Sequence, residues 1–98
     1  MKNEQWLNEK LSNFKSFIQS NLQPIEEQSD DTKKNVEYVM SMSLDDWLSF
    51  ASKHLMKFKN NPQDATTDIC DMYGINDASQ EVKDKITRYI ELFIEVLS

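Results

Sequence analysis

Four aspartates and the chain's single cysteine lie close together in the stretch DATTDICDMYGIND, residues 64–77. On a helix, Asp64, Asp68 and Asp71 fall within about 60° of one another, because each residue turns the helix by about 100°. Three carboxylates on one face could hold Mg²⁺ or Ca²⁺ if another element added oxygens. Cys70 lies about 100° from Asp71, near the edge of the apolar side, so the thiol does not join the carboxylates. We therefore interpret the aspartates as a solvated acidic face.

No other pattern specifies a metal site or a reaction. An EF-hand loop is excluded, because placing Gly74 at its sixth position puts Ile69 at the first, where the loop needs aspartate. With one histidine and one cysteine, the chain has no CxxC or HExxH spacing for zinc. A single glycine is too few for a phosphate-binding loop, a GxSxG elbow or a dinucleotide fingerprint. We predict a protein that is not an enzyme and has no cofactor.

The segment SFASKHLMKFK carries the only histidine and a local group of lysines. His54 falls between Trp47 and Phe50 on a predicted helix, so we expect a partly buried ring rather than a general base or pH sensor. Lys53 and Lys57 are four residues apart and could contact phosphate. The chain carries a net charge of −6, so nucleic acid is not the partner that we expect.

Length and composition predict a single helical domain over residues 1–98. Apolar residues make up 39% of the chain, charged residues 29%, and there are one glycine and two prolines. A sandwich or barrel needs many turns, so this shortage of glycine and proline favours helices joined by short connections. We predict an all-α fold, a compact bundle of four or five helices with the C-terminal helix at its centre.

The charge is unevenly distributed. Residues 1–60 hold eight Lys/Arg and nine Asp/Glu, a balance of −1, whereas residues 61–98 hold three and eight, a balance of −5. An acidic second half favours a basic partner.

The sequence predicts a soluble intracellular protein, in the cytoplasm or nucleus, without a membrane partner. The single cysteine fits a reducing compartment. The start, MKNEQWLNEK, has no apolar leader, and no run of about 18 apolar residues could span a bilayer.

Apolar residues recur at helical spacing in five segments, which we place at about 4–22, 30–42, 44–58, 62–73 and from Asp77 or Ser79 to the end. Local signals support these limits. Serines can cap the second and third helices, an asparagine followed by a proline starts the fourth, and a glycine ends it. These signals are Ser29, Ser43, Asn61–Pro62 and Gly74.

The last helix has an apolar arc of about 200°, wider than the stripe of an ordinary surface helix. Its central stripe should face the core, with Ile90, Ile94 and Leu97 on one side and Leu92 on the other. Either neighbouring helices surround it, or one flank remains for another chain. For a dimer, we predict Ile90 and Ile94 as the contact pair, since residues four apart form one ridge. The central stripe contains Val82, Ile86, Tyr89, Phe93 and Val96.

These features favour a non-enzymatic helical module for protein–protein interaction, an adaptor or a regulatory subunit. One alternative is an acidic inhibitor that imitates nucleic acid and binds a basic enzyme. Another is a weak nucleic-acid binder that uses the Lys53/Lys57 patch. The candidate interaction residues are of two kinds, apolar and acidic: Ile90, Ile94 and Leu97, and Asp64, Asp68 and Asp71.

Overall fold

The computed structural model describes residues 4–75 and 78–98. It is 81% helical, and these residues contain no strand. The prediction of an all-α bundle is therefore confirmed. Short 3₁₀ turns at Ile25–Glu27 and Met56–Phe58 lie in two of the connections. The five α-helices are α1 (Glu4–Ser20), α2 (Asp30–Ser41), α3 (Leu44–His54), α4 (Pro62–Met72) and α5 (Gln80–Leu97).

Serine caps start three of these helices. The hydroxyls of Ser29, Ser43 and Ser79 each accept a hydrogen bond from the backbone N–H three residues later. Each bond satisfies one of the N–H groups that the first turn of a helix leaves without a partner. The predicted starts of α2 and α3 are confirmed, and α5 begins after Ser79. Asp77, the alternative start of α5, lies outside the described residues.

Helix α4 begins and ends close to the predicted positions. Asn61 is at the capping position and Pro62 is the first helical residue, as predicted, although the Asn61 side chain makes no capping hydrogen bond. Gly74 follows the helix with φ of +69°, in the left-handed region that glycine adopts without strain. The Ile75 N–H then donates to the Cys70 carbonyl at 2.8 Å. This bond closes the helix in a Schellman arrangement and places Ile75 in the core.

Helix α3 is shorter than predicted. It ends at His54, and a 3₁₀ turn over Met56–Phe58 replaces the last turn of the expected α-helix. The Phe58 N–H donates to the Leu55 carbonyl three residues back, at 2.9 Å. This tighter turn still lets Leu55 be buried and Phe58 pack against the core, so the apolar spacing alone does not distinguish it from a helix.

Helix α5 packs against α1, α3 and α4 and is the central helix of the bundle, as predicted. Aromatic rings from three helices meet in the core. The ring of Phe14 lies 5.2 Å from that of Trp47 and 6.2 Å from that of Phe93, and Trp47 and Phe93 are 5.3 Å apart. Phe93 therefore joins α5 to both α1 and α3.

Helix α2 is attached through apolar contacts, with Val36, Val39 and Met40 in or against the core, and through polar contacts. Val39 is its only fully buried residue. The Lys15 ammonium of α1 donates to the Met42 carbonyl at 2.6 Å, at the C-terminal end of α2. The Asn35 amide donates to the Met72 carbonyl of α4 at 3.1 Å. These bonds provide donors for carbonyls that a helix terminus leaves without a partner.

Candidate interaction surface

The predicted contact pair lies in the core of the chain itself. Ile90 is 1% exposed and Ile94 is 6% exposed, whereas Leu97 is half-buried. Thr87 shares their side of α5, and its hydroxyl forms a hydrogen bond with Thr66 of α4. Helix α4 thus lies along this flank, and Ile90 and Ile94 are buried within the chain itself, as expected for a helix that its neighbours surround on this side.

The opposite flank of α5 is the one that remains partly exposed. Two adjoining clefts of about 850 and 670 Å³ run along α5 beside α1. Both are lined by Arg88 and Leu92, so they form one continuous groove. We call this the α1–α5 groove, and its floor is apolar because its half-buried residues include Trp6, Tyr89, Leu92 and Val96.

Two lysines that line this groove cover aromatic rings of α1. The Lys10 ammonium lies 5.3 Å from the centre of the Trp6 ring, and the Lys85 ammonium lies 4.8 Å from that of Phe17. A cation over an aromatic face is attracted by the ring, and the aliphatic stem covers apolar surface on the way.

Charged residues of both signs line the exposed side of α5. Helix α5 contributes Glu81, Asp84, Lys85 and Arg88 to the cleft of about 670 Å³, and Arg88, Glu91 and Glu95 to the cleft of about 850 Å³. The charges are therefore mixed along the smaller cleft, whereas the larger one has two glutamates and one arginine.

The acidic residues of α4 do not form a binding centre with the cysteine. Asp64, Asp68 and Asp71 are all exposed. Among the described residues, no group of three or more potential ligands could hold a metal ion. Cys70 is buried beside a polar cleft of about 440 Å³ between α4 and α5. Burial is the main cause that raises the pKa of the Cys70 thiol. The nearby charge of Lys83 lowers this pKa by less, and the charge of Asp71 raises it slightly further.

The only histidine is exposed, which corrects the prediction of a partly buried ring. His54 is the last residue of α3, where its ring lies against that of Phe50 with 4.6 Å between centres. Lys53 and Lys57 are also exposed, but α3 ends between them, so they do not share one regular helical face. The Lys57 ammonium lies 5.2 Å from the ring of Phe58.

Comparisons with protein-family models, curated proteins and solved structures found no match to this chain. Within residues 4–75 and 78–98, none of the helices has the length and apolar character needed to cross a bilayer. The α1–α5 groove is thus interpreted from its own residues. Sequence reasoning missed it as a site, although the apolar spacing does place Leu92 on the other side of the central stripe of α5.

Proposed function

We propose that the protein is a non-enzymatic interaction module, an adaptor or regulatory subunit, that binds another protein through the α1–α5 groove. The observation that supports this most strongly is the apolar floor of the groove, where Trp6, Tyr89 and Leu92 are only half-buried. Tryptophan and tyrosine contribute a large share of the binding energy at protein interfaces. A groove between two helices also suits the apolar face of a third helix.

Binding would proceed by replacing the lysine stems with apolar side chains of the partner. Burying one such side chain contributes about 1.5–3 kcal/mol. Ordering a flexible side chain opposes this by about 0.5–1.5 kcal/mol. The ammonium groups of Lys10 and Lys85 would then lie at the edge of the interface, where they can meet carboxylates of the partner.

A matched pair of variants tests this proposal. Leu92→Glu places a charge on the floor of the groove, whereas Tyr38→Glu places one on α2 at an exposed aromatic residue outside it. Tagged wild type and both variants are used to capture proteins from cells that express the natural protein, and captured proteins are quantified by mass spectrometry. With Leu92→Glu, we expect the captured amount of at least one partner to fall by at least about tenfold, which corresponds to about 1.4 kcal/mol of binding free energy. Tyr38→Glu should capture that partner as the wild type does.

Circular dichroism of both variants must match the wild type, so that the loss reports on the surface rather than on folding. Equal capture by Leu92→Glu and wild type would contradict the use of this groove. Failure of the wild type to retain any protein under gentle conditions would contradict the interaction module itself.

We propose the acidic inhibitor as a second candidate function, because α4 carries three exposed carboxylates on one face. Such a face could occupy the phosphate-binding surface of a basic enzyme, with binding that weakens steeply as salt is added. Replacing Asp64, Asp68 and Asp71 by asparagine keeps the shape of the face and removes its charge. Inhibition of a captured nucleic-acid enzyme should then be lost, and inhibition that survives the triple variant would exclude this function.

A further inference from the structure

We draw no further inference here: the strongest candidate, the apolar floor of the α1–α5 groove, belongs to the site already described, and nothing in the described part of the chain shows what covers it.

Discussion

Replacing Lys15 by methionine tests how α2 is held in the bundle. The Lys15 ammonium donates to the carbonyls of Met42 and Met40, at 2.6 and 3.4 Å, where the last carbonyls of α2 have no partner within the helix. Methionine retains the unbranched stem and its packing but removes the charge and the donors. The variant therefore isolates the polar contact.

Two effects set how much stability Lys15→Met should lose. A hydrogen bond to a charged group contributes about 1.5–3 kcal/mol, and a cation at the C-terminal end of a helix adds about 0.3–1 kcal/mol. Lys15 is half-buried, so water can replace part of both contributions. We expect a loss of about 1–2 kcal/mol in the free energy of unfolding, which lowers the melting temperature by roughly 4–8 °C per kcal/mol in a chain of this size.

Urea unfolding measures the loss of stability of the whole chain, and amide hydrogen exchange shows in which helix the loss occurs. Val39 is the only fully buried residue of α2, so the loss should be largest there. In Lys15→Met, amides in the last turn of α2 should exchange about tenfold faster, which corresponds to about 1.4 kcal/mol in the free energy of local opening. Lys34→Met removes an exposed lysine from the same helix and should change neither measurement. Equal stability of Lys15→Met and wild type, with unchanged exchange in α2, would refute the reasoning.

Two further predictions concern the end of α4. Gly74→Ala should lower the free energy of unfolding in urea by about 1–2 kcal/mol, because φ is +69° and the new Cβ would lie 3.1 Å from a methyl carbon of Thr32; an unchanged midpoint would contradict this. Burial raises the pKa of both the Cys70 thiol and the Tyr73 hydroxyl, so the unfolded chain loses these protons at lower pH than the folded chain. Stability is then complete below the ordinary cysteine pKa of about 8.5 and falls as the pH rises above it. The urea midpoint should decline from about pH 8 to pH 10.5, and an equal decline in a Cys70→Ala, Tyr73→Phe variant would assign it to other groups.

Short-range signals in the sequence are sufficient to place most helix ends. Ser29 and Ser43 start helices and Gly74 ends one because a cap satisfies backbone groups within three or four residues of itself. Such signals are local and can be read without knowing the fold. The sequence does not show where α3 ends, because Leu55 and Phe58 keep a helical spacing although the backbone between them forms a 3₁₀ turn.

In contrast, only the packing of the helices determines which side of α5 remains accessible. The apolar arc of this helix is wide enough for neighbours on both flanks, and periodicity shows the width of an arc but not what covers it. Helix α4 packs along the side of Ile90 and Ile94, whereas α1 leaves Leu92 and Val96 half-buried beside a groove. The same limit applies to His54, whose exposure depends on the end of α3 rather than on its position in the stripe. The surface available for binding depends on contacts between residues far apart in the chain, and those contacts form only when the helices pack.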